Sequence, residues 1–467
     1  VPGAESRTRA EANFLKNGAI MKKYKAFLIA WWCLTMATAP GIFAQKIVTP
    51  LDSLRHQIAL LQQQMQALET TPAADTTIKG LQERMQDLSD QVNSVSEAQK
   101  KTMPSEFNPA IGLVGEEITS YNTQGMSENG AGRPGGIDVD VRSVELNVAS
   151  AIDPFAKGYA VANASADPIT GDATWGIEEA ALQTTSLPWN LELKAGRFFG
   201  EFGRLAYIHD HELPVVNRPL ALDQYIGGES QSYGLQVNWL VPLPQYLSLT
   251  AGAGDRFGGD IMPSNPGFRR FNALNYWSRL SSYLGLTPDW QAEMGISGLI
   301  NPSGGQQAAQ PDSGNAVTMT ERRLAGADFS LKWAPLRNNQ FQSLTWGNEV
   351  LFSDNRYTGI TPAVTNPPVD TTVGAWGLYS YLTWKFSRIW SAGFLVNWVE
   401  NNQNSTYHTT QYSPYITWAL SHWNQLRLEY THTENTDNQV RGLANNDAIY
   451  LQLAWIIGAH SHGWQQR

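Results

Sequence analysis

Leu378-Tyr379-Ser380-Tyr381-Leu382-Thr383-Trp384-Lys385-Phe386 reads as two interleaved environments. Leu378, Leu382, Trp384 and Phe386 share one parity, and Tyr379, Tyr381, Thr383 and Lys385 the other. A period of two is that of a β-strand whose faces meet different surroundings. After the next turn Ala392, Phe394, Val396 and Trp398 alternate with Gly393, Leu395 and Asn397; then Tyr412, Ile416, Trp418 and Leu420 alternate with Gln411, Ser413, Tyr415 and Thr417. Leu426, Leu428 and Tyr430 alternate with Arg427, Glu429 and Thr431. One face is too repetitively apolar for the core of a sandwich, and the other carries charge. That pairing is expected of a membrane-spanning β-barrel with lipid outside and water inside.

Turns divide the stretch from Ala110 to Gly458. They are Asp153-Pro154, Leu187-Pro188-Trp189-Asn190, Pro242-Leu243-Pro244-Gln245, Thr287-Pro288-Asp289, Pro335-Leu336-Arg337-Asn338-Asn339, Ser387-Arg388 and Ser421-His422. These seven turns join fourteen strands, and one more at each end, Ala110 to Tyr121 and Ala448 to Gly458, gives an all-β, sixteen-stranded antiparallel barrel. An even number puts both ends of the barrel on one side and the long connections on the other, the arrangement of an outer-membrane barrel with short periplasmic turns. The long connections are 122–140, 166–172, 200–230, 255–271, 301–320, 354–372, 401–407 and 434–444. Trp189, Trp239, Trp290, Trp333, Trp390 and Trp423 lie beside the short turns, as an interfacial aromatic girdle requires.

Upstream of the barrel the composition changes. Residues 1–44 read as an extension followed, from Met21, by a cleaved signal peptide: Lys22, Lys23 and Lys25, then apolar Ala26 to Met36, with Ala44 before the cut. They carry six basic and two acidic residues, so their removal takes the net charge from -9 to -13. An acidic mature chain argues against a nucleic-acid partner. The single cysteine, Cys33, lies in the signal, which leaves no disulfide or thiolate chemistry to the mature protein. Charged residues make up only 16% of the chain, beside 17 Trp, 17 Tyr and 16 Phe, as suits a surface exposed to lipid.

Residues 45–106 form a second region. Leu51, Leu54, Ile58, Leu61, Met65 and Leu68 step by 3,4,3,4,3, and Ile78, Leu81, Met85, Leu88, Val92 and Val95 repeat the spacing. These are short heptad α-helices that precede the barrel and need a partner helix, between protomers or in a hairpin. Their core residues point to a parallel dimer. Residues 107–467 are the barrel region.

Within the barrel, Glu192 and Lys194, Asp328 and Lys332, Lys385, and Arg427 and Glu429 are expected to line the lumen, because each sits opposite an apolar face. A charge at the lipid midplane would cost roughly 2 to 4 kcal/mol. The connection 200–230 is the longest and holds apolar Tyr207, Leu213, Val215, Val216 and Leu220, which a solvated loop does not need. It is expected to fold into the lumen. Arg197, Glu201, Arg204, His209, Asp210, His211, Glu212 and Arg218 are the candidate constriction residues. His209 and His211, with Asp210 or Glu212, offer nitrogen and oxygen donors of the kind zinc takes, but the pattern is common and no metal or other cofactor is assigned.

The sixteen strands and long third outer loop resemble the general porins, in which that loop forms the constriction. With heptad helices and no plug, the chain is more similar to porins with an N-terminal periplasmic coiled coil, the DcaP-like group. Phe107-Asn108-Pro109-Ala110-Ile111 and Asn217-Arg218-Pro219-Leu220 also resemble outer-membrane proteins labelled zinc-regulated or receptor-like. General porins end on an aromatic residue, whereas this chain ends Trp464-Gln465-Gln466-Arg467. The resemblance implies a homo-oligomer, a trimer where the heptads favour a dimer. It implies a Gram-negative outer-membrane location with the helices and both mature termini in the periplasm, and passive diffusion of small polar or charged solutes, with membrane lipid as the other partner. The alternative is a structural anchor whose coiled coil binds another envelope protein. No enzyme is expected, since neither a Gly-x-Ser-x-Gly elbow nor a His-Glu-x-x-His helix occurs.

Overall fold

The computed structural model describes residues 109–458 apart from 125, 129–130, 134, 167–171, 259–270, 303–305, 308–317, 336–340, 359–369, 422 and 437–444. Both heptad seams and the signal lie outside the described residues.

Sixteen long strands form one antiparallel ring: β1 (Ala110–Asn122), β2 (Gly136–Asp153), β3 (Ala156–Ala166), β4 (Ala173–Thr184), β5 (Leu191–Phe199), β6 (Gln231–Leu240), β7 (Tyr246–Gly254) and β8 (Asn275–Gly285) in the first half. The second half is β9 (Trp290–Asn301), β10 (Thr318–Trp333), β11 (Ser343–Thr358), β12 (Asp370–Lys385), β13 (Trp390–Glu400), β14 (His408–Ser421), β15 (Asn424–Asn435) and β16 (Asn446–Gly458). Every strand pairs with its successor, and β1 also pairs with β16, Gly112 opposite Gly458 and Asn122 opposite Ala448. Closure leaves no free edge, so each wall strand has its backbone groups paired on both sides, as a membrane-spanning sheet requires. A two-residue strand, Gln306–Gln307, pairs with the start of β10, and a small hairpin, Met126–Glu128 with Ala131–Arg133, stands in the first long connection.

The alternation sorts residues as expected. On β15 Leu428 and Tyr430 are exposed, whereas Arg427 and Glu429 are buried. On β16 Ile449, Leu451, Leu453 and Ile457 face out, and Gln452 and Ala454 face in. A soluble protein does not expose a continuous belt of this kind; lipid is its solvent. Among the described residues no helix is long and apolar enough to cross a membrane.

Bulges shift the alternation on β2 and β4. On β2, Ile137, Val139 and Val141 face out, but beyond Arg142 the outward side chain is Leu146 and the inward ones are Ser143, Glu145 and Asn147. Arg142 is the extra residue of a bulge, since Glu116 pairs with Ser143 and Glu117 with Val141. On β4, Glu178 is likewise extra: Val161 pairs with Glu179 and Ala162 with Ile177. Consecutive residues normally face opposite sides, but this bulge buries Glu178 and Glu179 together.

Candidate functional site

The connection between β5 and β6 is built to leave the wall and return to it. At its base the Gly200 N–H donates to Ser230 O at 2.8 Å, and Ser230 Oγ to Gly200 O at 2.6 Å. It then carries a 3-10 turn at Asp210–Glu212 and one helix, α1 (Leu220–Ile226), which follows Pro219 and ends at Gly227 with φ 85°, a left-handed cap suited to glycine. That helix falls where the sequence showed only a loop.

Phe202, Leu205, Ala206, Ile208, Leu213, Val215, Leu222 and Ile226 are buried, in one cluster with wall residues Leu299, Leu324, Leu351, Tyr379, Tyr381, Leu395 and Tyr415. Burial of about 1.5 to 3 kcal/mol per large side chain is ample to seat such a segment. Gly203 has φ +59°, and a Cβ there would fall 2.0 Å from Glu349 Oε1, so the close approach needs glycine.

Polar contacts tie the segment to several arcs of the wall. The Arg204 guanidinium donates to Tyr381 OH at 2.9 Å and Glu293 Oε2 at 2.7 Å, and its backbone N–H to Glu349 Oε2 at 3.0 Å. Glu201 accepts from Asn238 and Thr250 at 3.1 and 2.8 Å. At the tip, Arg427 donates to Val215 O at 2.9 Å, Glu429 accepts from Val216 N at 2.9 Å, and Arg142 donates to Val216 O at 2.6 Å. On β10 the buried Arg322 donates to Phe257 O and Tyr225 O at 2.8 and 2.6 Å.

Not every candidate faces the lumen as a free charge. Arg218 is buried and staples the loop to itself, donating to Leu205 O, Ile208 O and Asp210 Oδ1 at 2.5, 2.6 and 2.7 Å. Burial opposes its charge, but Asp210 and Glu229 hold its pKa above the ordinary value; Arg218 in turn holds Asp210 low against burial. Arg218 and Asp210 thus pair directly with each other within the loop. Arg197 stands opposite Tyr233, with its guanidinium 4.7 Å from that ring, and also hydrogen-bonds to Tyr233 OH. Tyr233 shares the outward face of Leu235, so Arg197 belongs to the outer surface. Its odd position, in step with Leu191, Leu193 and Ala195, is the reason. Glu212 is half-buried in the 3-10 turn.

His209 and His211 come together, their rings 5.4 Å apart, against wall carboxylates rather than their sequence neighbours. His209 Nε2 is 3.2 Å from Glu179 Oε1, and His211 Nδ1 is 3.0 Å from Glu145 Oε1. Burial would lower the His209 pKa, but Glu145 and Glu178 raise it well above the imidazole value; burial, then His209, lowers that of His211.

Glu192 accepts from Asn238 at 3.1 Å, Lys194 lies 5.5 Å from the Phe198 ring, and Lys332 and Lys385 are half-buried on the inner face. Asp328 takes two bonds from Arg279, at 2.5 and 2.9 Å, with both side chains buried. Asp328→Ala strands that guanidinium and is expected to cost about 3 to 5 kcal/mol, read as a lower urea midpoint in detergent, with Asp328→Asn combined with Arg279→Gln recovering most of it. Glu116, Arg142, Glu145, Glu178, Glu179, Arg279, Glu293, Arg322 and Glu349 were not singled out from the sequence. For Glu145 the signal was present, as the shift of apolar parity along β2.

The fold is that of the outer-membrane porins, a sixteen-stranded antiparallel transmembrane barrel. No protein-family model matches the chain. It is 26% identical over 341 residues to an uncharacterized protein of Aquifex aeolicus (strain VF5), covering 68% of each. Among solved structures it is similar to Pseudomonas putida OprB at high pH, with a TM-score of 0.51, 11% identity and coverage of 79% of this chain and 97% of that one. The outer membrane channel DcaP of Acinetobacter baumannii aligns at a TM-score of 0.49 and 9% identity, over 75% of this chain and 97% of that one.

Proposed function

We propose that the protein is an outer-membrane porin through which small polar or charged solutes diffuse passively, with residues 200–230 as the constriction. The observation that carries this reading is the anchoring of that segment, by Arg204, Val215 and Val216, to inward-facing residues of β9, β11, β12 and β15. A segment held there narrows whatever path the ring encloses. Glu201, Asp210 and Glu212 then lie beside that path, backed by the buried Arg204, His209 and His211, with Glu192, Lys194, Lys332 and Lys385 along the approach. Selection would come from width and local field, with no bond made or broken.

The test is single-channel recording in planar bilayers: stepwise conductance is expected, and no ion flux from correctly folded protein would overturn the reading. The heptad helices are read as periplasmic and as the element that joins protomers. Deleting residues 46–100 is expected to lower the oligomer size in light scattering while leaving the conductance of each barrel unchanged. Loss of conductance along with the helices would favour an anchor or scaffold instead.

A further inference from the structure

The two histidines of the loop occupy a setting that conduction does not require. His209 Nδ1 lies 3.5 Å from Glu145 Oε2 and 3.5 Å from Glu178 Oε1. Those separations are at the limit of a hydrogen bond and close to the edge of a coordination tetrahedron, in which donors about 2.0 to 2.1 Å from zinc stand roughly 3.3 to 3.4 Å apart. On the other side of the ring Nε2 meets Glu179 at 3.2 Å. A carboxylate there accepts a hydrogen bond from Nε2–H, which fixes the tautomer and leaves Nδ1, on the side of Glu145 and Glu178, as the ligand atom, the outer-shell arrangement of metal-bound histidines.

His211 adds a second nitrogen: with His209 and Glu145 it forms a group in which one ligand atom from each residue lies within 4.8 Å of the others. Glu178, His209 and Glu229 form a second such group, sharing His209. Glu145, Glu178, His209 and His211 are all buried, so water screens little of the charge they gather. Two neighbouring guanidiniums are engaged mainly elsewhere: Arg142 binds Glu116, Val216 O and Asn217, and Arg218 binds Leu205 O, Ile208 O, Asp210 and, at 3.4 Å, Glu229. An excess of carboxylate therefore faces the imidazoles. The bulge at Glu178 is the independent sign of a built site, because it spends a wall residue to bring a carboxylate to each nitrogen of His209.

We infer that His209, His211 and Glu145 bind one divalent transition-metal ion, with zinc favoured by the two-nitrogen, one-oxygen donor set, and that this ion clamps the loop to β2. The inference does not depend on whether the barrel conducts, because it is read by metal content.

The full chain is refolded into detergent from chelator-treated urea with Zn2+ or Co2+, desalted and analysed. The expected result is about one zinc per chain, and with Co2+ the intense visible bands of a four-coordinate ion. His211→Ala and Glu145→Gln are each expected to lower retained zinc at least about tenfold. His432→Ala, which removes an imidazole from the outward group of Asp447 and Glu434, keeps it. Folding of each variant is followed by heat-modifiable gel mobility. Wild-type protein that folds but retains no stoichiometric metal, or retention unchanged in folded His211→Ala and Glu145→Gln, overturns the inference. Should both variants fail to fold, the wild-type Co2+ spectrum decides alone, and a six-coordinate spectrum or none counts against the site.

Discussion

Replacing residues 203–228 with a short glycine-serine linker is expected to raise single-channel conductance several-fold and to leave the barrel closed. The ring owes its closure to strand pairing, β1 to β16 included, and none of those backbone bonds involves the removed segment. The segment is nonetheless well seated, through a shared apolar cluster and through Arg204, Arg427, Glu429 and Arg322. Its removal therefore lowers thermal stability, because Leu324, Leu351, Tyr379 and Tyr381 lose their cover and Glu349 loses the Arg204 N–H. The loss stops short of unfolding, since water entering the lumen solvates the exposed carboxylates and guanidiniums, which a dry core would not allow. Planar-bilayer recording beside a thermal melt of the same sample separates the two effects. A linker variant that folds and conducts no better than wild type would exclude the segment as the constriction.

Paired substitution of Leu428→Arg and Leu451→Arg is expected to abolish membrane insertion. The two leucines face one another across β15 and β16, both outward and near the middle of their strands. Each arginine costs roughly 2 to 4 kcal/mol at the bilayer midplane, and two neighbouring like charges add repulsion to that cost. The sum approaches the whole stability of an ordinary domain. Lys385→Glu is the matched control: it changes charge on the inner face of β12 and is expected to insert normally, altering only ion preference. Insertion into liposomes, scored by heat-modifiable mobility and protease protection, checks both. Normal insertion of the double variant would mean that the Leu428 and Leu451 face does not meet lipid.

The wall was legible in the sequence because its signals are local. Alternation along Leu378 to Phe386 or Ile449 to Ile457 needs no knowledge of distant residues, and Pro and Asn mark most of the turns between strands. Even Ala173–Thr184 and Asn275–Gly285, where the alternation is weakest, are strands, because each has a paired neighbour on both sides. The same locality hid the bulges. One extra residue at Arg142 or Glu178 changes neither composition nor length, yet it reverses which parity faces in. Helix α1 was hidden for another reason: seven residues are too few to hold a helix alone, and its stability comes from the wall it lies against.

By itself the sequence determined a ring of sixteen strands, its greasy and polar sides, and the one connection rich enough in apolar residues to turn inward. Tertiary structure decided the partners. Arg218 met Asp210, Arg197 fell on the outer face with Tyr233, and His209 and His211 met Glu145, Glu178 and Glu179 in place of Asp210 and Glu212. Periodicity fixes the face on which a side chain stands, because it is a property of the backbone. Which charge a loop residue meets depends on where a flexible connection, closing across a barrel, lets buried groups neutralise one another.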